Sequence, residues 1–450
     1  MNPTIAALAT PAGEAAIALI RISGPLSESI AGDVFSRVCP PPPRQACLGH
    51  YHNIDGDFVD KVLYTFFSQG HSYTGEASLE ITAHGNPLIA RKILDDLQDR
   101  GCRLADPGEF TRTAFLNQQV DLAQAEAVME LIQAKSEKAL SVAQHHLQGG
   151  IGKKVQALSK KLINLSANLE AYIDFPEEDL PRENESGPLT QIREILREMD
   201  KLIETNRHQE ALTYGVRLVI LGAPNAGKSS LLNNLLDQDR AIVSDSPGTT
   251  RDFISERITF GSMSLEIIDT AGLRHGGSSI EKAGMKRTLE IASSAGFHLL
   301  VLDTTTTSAD LPPEILKGLT ASNTLVVENK IDLPESQQHS KKLAELDHLR
   351  ISALTGQGLD ELKKILQEKL EELIDLPGEE AVVINSRHRK VMEKGRSLLQ
   401  EGQQKMTAAM PMELVASDIR ASLETISSIT GKAGTEDILD EIFQNFCIGK

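Results

Sequence analysis

The chain has 450 residues, 40 % of them hydrophobic, and a formal net charge of −17. This length predicts roughly two to four domains, and the apolar content excludes a chain that is disordered throughout. The excess of acid disfavours a protein that binds nucleic acid mainly through its own basic surface. Four cysteines without a CxxC pair predict neither zinc ligation nor a disulfide framework, so we expect a cytoplasmic protein. No apolar run approaches the ~20 residues that span a membrane.

The first 118 residues predict a mixed α and β domain. Ala16–Ile20 and Lys61–Phe67 have the length and the β-branched or aromatic content of strands. Leu88–Arg100 has helical spacing and stops before Gly101. Pro40–Pro43 predicts a loop, because proline is excluded from helix interiors and central strands.

Helical patterns occupy two separate stretches of the chain. Between residues 119 and 212, apolar residues recur at helical spacing and predict buried faces on Leu122, Ala125, Met129 and Ile132, and again on Val155, Leu158, Leu162 and Leu165. Between residues 378 and 450, helices are predicted over Ser386–Gln400, Met412–Ile429 and Glu436–Phe446. The apolar faces of the two stretches need partners, so we expect one discontinuous helical domain.

Residues 213–377, between these stretches, alternate strand and helix patterns. The predicted strands include Val216–Leu221, Leu265–Ile268, Leu299–Leu302, Leu325–Val327 and Leu349–Ile351. Such alternation predicts a doubly wound parallel sheet inserted into the helical domain. The predicted domains are therefore residues 1–118, 119–212, 213–377 and 378–450, the second and fourth forming one helical domain.

A phosphate-binding loop follows the first strand of the inserted domain. Gly222–Ser229 matches GxxxxGK[ST] in the strand–loop–helix setting that this motif requires. Its glycines allow backbone N–H groups to turn towards phosphates, and the helix N-terminus adds the positive end of its dipole. Lys228 would contact the β- and γ-phosphates, and the Ser229 hydroxyl would bind Mg²⁺.

Three further elements follow in the order that a GTP-binding domain requires. Asp269–Gly272 ends a strand and offers a carboxylate for Mg²⁺ and an amide for the γ-phosphate. Asn329–Asp332 (NKID) ends another, and the Asp332 carboxylate would accept both hydrogens of the guanine edge, which adenine does not offer. Ser352–Leu354 is placed to bring backbone amides to the guanine O6.

The water-orienting group is not where many small GTPases have it. Leu273 follows the DxxG glycine, where those enzymes have a glutamine, so hydrolysis must use other groups or be slow. Arg274, His275 and Glu281 are the polar candidates nearby. Thr250 is predicted to supply the second hydroxyl ligand of Mg²⁺. Asn225 has a side-chain oxygen that would bind a cation beside the phosphates.

These motifs, together with segments outside the GTP domain, resemble the MnmE (TrmE) family of tRNA-modification GTPases. The similar segments include PGTTRD at 247–252, IRISG at 20–24, PGEFTRTAFLN at 107–117, DLAQAEA at 121–127 and the terminal FCIGK at 446–450. The resemblance covers the whole chain. It implies an N-terminal domain that dimerises and binds folate, a helical domain, and an inserted Ras-like P-loop GTPase domain.

The resemblance also implies a reaction and partners. A family member is a K⁺-dependent GTPase that forms a homodimer and associates with an FAD-dependent partner of the MnmG (GidA) type. Together they would add a carboxymethylaminomethyl or aminomethyl group to C5 of the wobble uridine, position 34, of certain tRNAs. The implied cofactors are GTP, Mg²⁺, K⁺ and a one-carbon tetrahydrofolate, either 5-formyltetrahydrofolate or methylene-tetrahydrofolate.

Site residues follow by matching positions of this chain to the family pattern. The catalytic pair is Glu281, which would orient water, and Cys447, which matches a cysteine important to modification. Mg²⁺ matches Ser229 and Thr250, and K⁺ matches Asn225, Ser244, Ser246 and Thr249. The folate positions are Arg21, Glu80, Gln119 and Lys450, although the family commonly has lysine near position 119, where Gln119 is neutral. The predicted GTP-binding residues are Asn225, Ala226, Gly227, Lys228, Ser229, Ser230, Ser244, Asp245, Ser246, Pro247, Gly248, Thr249, Thr250, Asp269, Thr270, Ala271, Gly272, Asn329, Lys330, Asp332, Ser352, Ala353 and Leu354.

Two alternatives from other functional classes stay open at this point. Gly431–Gly434 fits the GxxG loop of KH modules, which favours a GTP-driven RNA-binding or ribosome-assembly factor without modification chemistry. A membrane-remodelling GTPase is the third class, but the sequence has no basic or strongly amphipathic membrane element. Analysis of tRNA nucleosides from a deletion strain separates the first two classes.

Overall fold

The computed structural model describes residues 3–35, 42–174, 187–236, 255–260, 263–269, 296–306, 313–334, 343, 345–373, 382–431, 436–444 and 446–449. By its contacts the chain divides into two units. The first comprises Met1–Met129, His146–Leu196 and Val391–Lys450, and the second comprises Glu130–His145 and Arg197–Lys390. The predicted division into residues 1–118, 119–212, 213–377 and 378–450 remains a prediction.

A six-stranded sheet forms the centre of the N-terminal part of the first unit. Its strands are β1 Ile5–Leu8, β2 Ile17–Ser23, β3 Ala46–His52, β4 Phe58–Phe67, β5 Ser78–His84 and β6 Arg103–Leu104. The spatial order is β3-β4-β5-β2-β1-β6, antiparallel except for the parallel β1–β6 pair. Helices α1 Ser27–Asp33 and α2 Pro87–Asp99 belong to the same part. Ile20, Ile22, Leu79 and Ile81 point to one face of the sheet and form a core with Ile93 and Leu97 of α2.

Helices make up the rest of the first unit. They are α3 Glu109–Leu116, α4 Leu122–Gln133, α5 Glu137–Leu147, α6 Gly150–Asp174, α7 Pro188–Tyr214, α11 Ser386–Thr407, α12 Met412–Ser427 and α13 Glu436–Phe443, of which α4, α5, α7 and α11 continue into the second unit. The predicted face of α6 is buried at Val155, Leu158, Leu162 and Leu165, and α6 packs along α12.

The C-terminal tail packs onto the helices that follow the N-terminal sheet. Leu439, Phe443 and Phe446 form a core with Leu122 and Ala125 of α4. The prediction that Ile132 shares this buried face is wrong, since its side chain is 43 % exposed. It lies in the last turn of α4, beyond the part of that helix which contacts the tail cluster.

The second unit contains the predicted doubly wound sheet. Its strands are β7 Val216–Leu221, β8 Ser255–Phe260, β9 Met263–Asp269, β10 Phe297–Asp303, β11 Thr324–Asn329 and β12 Asp347–Arg350, and its own helices are α8 Lys228–Leu236, α9 Pro313–Gly318 and α10 Leu359–Leu373. The order is β12-β11-β10-β7-β9-β8, parallel except that β8 pairs antiparallel with β9 at the edge. The parallel part and the P-loop fold class are confirmed, and the antiparallel edge is an addition to the prediction.

Alternate residues of β7 enter two different cores. Leu218 and Ile220 belong to one cluster, and Val219 and Leu221 to another on the opposite face. This explains why the strand is apolar almost throughout, as expected for a central parallel strand covered on both faces. In an open parallel sheet of this kind, ligands bind outside the carboxyl ends of the strands.

Candidate functional site

The loop after β7 has the backbone conformation of a phosphate cradle. Gly222, Asn225 and Gly227 have φ values of 147°, 63° and 96°. A Cβ on Gly222 would lie 2.3 Å from the Val301 carbonyl oxygen, so glycine is required there. Successive turns of this kind present backbone N–H groups on one side of the loop, which is how such loops bind anions.

Lys228 begins α8 and its ammonium lies against the same loop. Its Nζ donates hydrogen bonds to the carbonyl oxygens of Gly222 at 2.9 Å and Ala223 at 2.8 Å. The residue is buried, whereas Ser229 and Ser230, the next two residues of the helix, are exposed. A positive charge and the positive end of the helix dipole therefore lie at the same point, as a polyphosphate site requires.

Asn329, the last residue of β11, connects the phosphate loop to Ser352–Leu354, called the base-reading loop after its predicted role. Its side chain is buried, its Nδ2 donates to the Ala226 carbonyl at 2.8 Å, and its Oδ1 accepts from the Ala353 amide at 2.9 Å. Gly227 leaves room for this side chain, because a Cβ there would lie 2.1 Å from Asn329 Nδ2. One buried amide thus fixes two loops that are far apart in sequence.

Asp332 lies beside the Ser352–Leu354 loop. Its Oδ1 accepts a hydrogen bond from the Ser352 hydroxyl at 2.5 Å, and the residue is exposed. The hydroxyl orients the carboxylate, which remains accessible to a base edge with two donors. Adenine has no such pair, so this arrangement favours guanine.

An ion pair that involves the NKID element was not predicted from the sequence. Lys330 has a φ of 72° and its Nζ contacts Asp303 Oδ2 at 2.6 Å. Burial would raise the pKa of Asp303, but hydrogen bonds from Lys330 and Thr305 outweigh it and lower the pKa below its ordinary value. Asp303 ends the buried strand β10, and only the pairing of β10 with β11 places it next to the NKID element.

Several predicted site residues lie outside the described residues. They are Ser244, Asp245, Ser246, Pro247, Gly248, Thr249, Thr250, Thr270, Ala271, Gly272, Glu281 and Lys450. Asp269 is described only as the last residue of β9, where its backbone pairs with Ile220 of β7. Among the residues that it describes, the structure brings together the phosphate loop, the NKID element and the Ser352–Leu354 loop.

A second cluster of predicted residues lies in the first unit. Arg21 of β2 and Glu80 of β5 are direct cross-strand partners, with Arg21 Nε and Nη2 at 2.9 and 2.8 Å from Glu80 Oε1. Arg21 Nη1 also donates to the Gly449 carbonyl at 3.3 Å. The guanidinium lies 5.8 Å from the ring centroids of both Tyr73 and Phe110, two neighbours that the sequence reasoning missed.

The C-terminal tail is held at this cluster by backbone contacts. The Gly108 amide donates to the Cys447 carbonyl at 3.4 Å. Gly449 has a φ of 91°, and a Cβ there would lie 2.8 Å from the Leu8 carbonyl oxygen. Gln119 is not joined to Arg21 or Glu80 by any hydrogen bond within the described residues, and its Nε2 donates to the Asn117 carbonyl at 3.2 Å.

Cys447 differs from the two other cysteines that the structure describes. Cys47 and Cys102 are buried, and burial raises the pKa of the Cys102 thiol to about 11. Cys447 is exposed. A thiol must be accessible to react, so Cys447 is the one of these three that is suited to chemistry.

Comparisons with known proteins agree over the whole chain. The family described as "GTP-binding protein TrmE N-terminus" matches residues 4–119, and that described as "MnmE helical domain" matches residues 122–447. Proteins named "tRNA modification GTPase MnmE" are similar to this chain along their full length. The one from Opitutus terrae is 42 % identical, covering 100 % of this chain and 99 % of the relative. Those from Moorella thermoacetica and Thermotoga maritima are 40 % and 38 % identical, covering 100 % and 99 % of this chain and 100 % of each relative.

A solved structure of the G domain of the T. maritima FeoB iron transporter covers 36 % of this chain and 99 % of its own, at 24 % identity. Its TM-score of 0.25 is too low to support a conclusion. The identity to the curated relatives, sustained over full length, is decisive. The chain therefore belongs to the MnmE (TrmE) family of tRNA modification GTPases.

Proposed function

We propose that this protein is a GTP hydrolase that acts in tRNA modification. The observation that carries the proposal is the hydrogen-bonded position of Asn329, which joins the phosphate loop at Ala226 to the base-reading loop at Ala353. A lysine at the loop and a carboxylate at the rim complete a pocket with one end for phosphates and one for guanine.

The modification chemistry that we propose is the attachment of an aminomethyl-type group, or its carboxymethyl derivative, to C5 of the wobble uridine. An FAD-dependent partner of the MnmG type and a one-carbon tetrahydrofolate would take part, with the protein as a homodimer in the cytoplasm, where tRNA is found. The Arg21–Glu80 pair supports the folate site, because it meets the tail that carries the exposed Cys447. A guanidinium beside two aromatic rings suits a ligand with both a flat ring and carboxylates.

Only some of the residues that we propose as ligands of the two cations lie in the part of the chain that the structure describes. Ser229 is exposed at the junction of loop and helix, where a hydroxyl ligand for Mg²⁺ must lie, and we assign Thr250 as its partner. For K⁺, Asn225 is exposed at the turn of the loop, with Ser244, Ser246 and Thr249 as the other proposed ligands. The cations would supply positive charge where negative charge grows on the phosphates.

Glu281 is the proposed water-orienting residue. Leu273 cannot hydrogen-bond to water, so another side chain must hold the nucleophile in line with the γ-phosphate. A carboxylate acts directly or through a second water. Cys447 is proposed to act in the modification step and not in hydrolysis.

The deciding experiment is tRNA nucleoside analysis in a strain that lacks the gene, complemented with variants. The natural protein should restore the wobble-uridine modification, and Lys228→Ala should not, because the phosphate site loses its cation. Lys364→Ala is the matched control, since Lys364 is 79 % exposed in α10 of the same unit and pairs only loosely with Glu368. Normal modification in the deletion strain would overturn the proposal.

Ribosome assembly remains the second candidate, since it rests on the same GTP site. Its KH-like segment includes residues 432–434, which lie outside the described residues. Normal tRNA with accumulating ribosome precursors in the deletion strain would favour it. A membrane role has less support, because no helix within the described ranges is long and apolar enough to cross a bilayer.

A further inference from the structure

Asn234, near the end of α8, connects the helix after the phosphate loop to the base-reading loop. Its Nδ2 donates to the Ser230 carbonyl of its own helix at 2.9 Å and to the Ala353 carbonyl at 2.8 Å. A side-chain amide nitrogen carries two hydrogens, so both are used. The bond within the helix is ordinary, whereas the bond to Ala353 joins positions 119 residues apart.

The bond to Ala353 fixes more than one carbonyl group. The Ala353 C=O and the Leu354 N–H belong to the same planar peptide unit, and in a trans peptide they point in opposite directions. Holding the carbonyl against α8 therefore aims the Leu354 N–H away from that helix. Leu354 is 85 % exposed, so its packing does not fix this peptide.

The three amides of the Ser352–Leu354 loop are not equivalent. The Ser352 N–H donates to the Gln357 carbonyl at 2.9 Å, and the Ala353 N–H donates to Asn329 Oδ1 at 2.9 Å. The Leu354 N–H has no hydrogen-bond acceptor within the part of the chain that the structure describes. Of the three, it is the donor that is available to a ligand.

We propose that Asn234 is a positioning residue for base recognition, which holds the Leu354 amide in line with O6 of guanine. The inference rests on the proposed function, because it assumes that the pocket binds guanine nucleotides. Adenine has an amino group at this position, so two donors would face each other and the base would be rejected. Asp332 and Leu354 would then read different atoms of one base edge.

Recognition of O6 by the Leu354 amide and of the other base edge by Asp332 can be measured separately, with nucleotide analogues and the full-length protein. Replacing the 6-oxygen by sulfur, as in 6-thio-GDP, weakens the acceptor that faces Leu354. Removing the 2-amino group, as in IDP, affects only the edge that faces Asp332. In Asn234→Ala, the preference for GDP over 6-thio-GDP should fall about three- to tenfold, the scale of one hydrogen bond. The preference for GDP over IDP should stay as in the natural protein.

Two further variants make the measurement decisive. Asn234→Asp has nearly the same shape but no hydrogen-bond donor, so its preference for GDP over 6-thio-GDP should fall as well. Asn233→Ala is the matched control, because Asn233 is the exposed neighbour in the same helix. Both ratios should be unchanged in it, and nucleotide dissociation should quicken only in the Asn234 variants.

Four outcomes would overturn the inference. An equal loss of both ratios would show that Asn234 only stabilises the pocket, and an unchanged 6-thio ratio would show that it does not position the amide. If the natural protein prefers guanine over adenine but does not distinguish GDP from 6-thio-GDP, the proposed contact between the Leu354 amide and O6 is wrong. If the natural protein shows no preference for guanine over adenine, the proposed function fails together with the inference.

Discussion

The two proposed sites are built from different parts of the chain. We call them the guanine pocket, formed by the phosphate loop, Asn329, Asp332 and the base-reading loop, and the Arg21 cluster, formed by Arg21, Glu80 and the tail at Gly449. The guanine pocket uses short contiguous motifs, each at the carboxyl end of a parallel strand, and much of its bonding is through backbone groups. The Arg21 cluster uses single side chains on neighbouring antiparallel strands and a tail 428 residues away from Arg21. The first kind of site can be deduced from local sequence, whereas the second needs the pairing of distant segments.

The largest expected effect tests whether the pocket reads guanine through Asp332. Asp332→Asn should shift the preference from GTP towards XTP by about a thousandfold or more, since polar mismatches at a hydrogen-bonding site are strongly rejected. The amide offers a donor to the 2-oxygen of xanthine, where guanine has an amino group. Competition binding with GTP and XTP measures the shift, and Asp360→Asn, an exposed carboxylate in α10, is the control. An unaltered GTP preference would remove Asp332 from base recognition.

The next effect concerns hydrolysis, which the pocket alone does not explain. Glu281→Ala should keep nucleotide affinity and lower the turnover by about two orders of magnitude, the scale of a positioned acid–base or water-orienting group. Replacing KCl by NaCl at constant ionic strength should slow the natural protein comparably, because Na⁺ is too small for the same ligands. Steady-state phosphate release measures both, with Glu361→Ala on α10 as the control. Equal rates in the two salts would end the K⁺ proposal, and a fast Glu281 variant would end that assignment.

The sequence predicted which loops come together in the second unit, because their motifs carry their own structural context. Gly222–Ser229 and NKID each follow a buried apolar strand, and parallel strands bring their ends to one edge. Asp303 and Asn234 could not be identified in this way. Their partners, Lys330 and Ala353, are defined only when the strand order and the packing of α8 are known.

The Arg21 cluster was reached only through the family resemblance. Arg21 and Glu80 are 59 residues apart, and nothing local in either segment indicates that they pair. The antiparallel edge strand β8 was missed for the same reason, since strand direction depends on pairing and not on composition. Ile132 shows the opposite error. The helical spacing is correct, but the prediction extended the buried face one turn beyond the part of α4 that packs against a partner.

A glycine substitution tests whether the two loops of the guanine pocket depend on each other. Gly227→Ala would place a Cβ 2.1 Å from Asn329 Nδ2, at a φ of +96° that side chains rarely adopt. Displacing this buried amide leaves polar groups unpaired, so GTP affinity should fall by roughly ten- to a hundredfold. Gly318→Ala is the control, because a Cβ there meets nothing within 4 Å. Natural GTP affinity in the Gly227 variant would show that the loops act independently.

The corresponding test of the Arg21 cluster is a glycine of the tail. Gly449→Ala would place a Cβ 2.8 Å from the Leu8 carbonyl oxygen, so the tail should move away from Arg21. Folate affinity should fall about tenfold, the scale of one or two lost hydrogen bonds, while GTP affinity stays natural. Calorimetry with 5-formyltetrahydrofolate measures the change.

Two controls separate displacement of the tail from backbone strain. Gly56→Ala has the same left-handed strain, with a φ of +87°, but its Cβ meets nothing within 4 Å, so folate binding should be natural. Deleting the last four residues should abolish folate binding altogether. Equal folate affinity in the truncated and natural proteins would rule out a role of the tail.

The smallest expected effect is a pH dependence of the second unit, carried by the Asp303–Lys330 pair. The pKa of Asp303 is below its ordinary value of 3.8 in the folded protein, since hydrogen bonds from Lys330 and Thr305 outweigh the cost of burial. A carboxyl group whose pKa is lower in the folded state than in the unfolded state stabilises the fold above the unfolded pKa. That stabilisation is lost as the pH falls through the folded pKa.

Asp303→Asn should therefore unfold about 2–4 °C lower than the natural protein at pH 7, corresponding to about 1 kcal/mol, and the difference should shrink towards pH 3. Lys330→Met should be destabilised most at pH 7, because it leaves a half-buried carboxylate without its cation, and should recover as Asp303 is protonated. Thermal melts of the full chain across this range are the measurement. A constant offset between Asp303→Asn and the natural protein at every pH would show that the pair contributes by shape and not by charge.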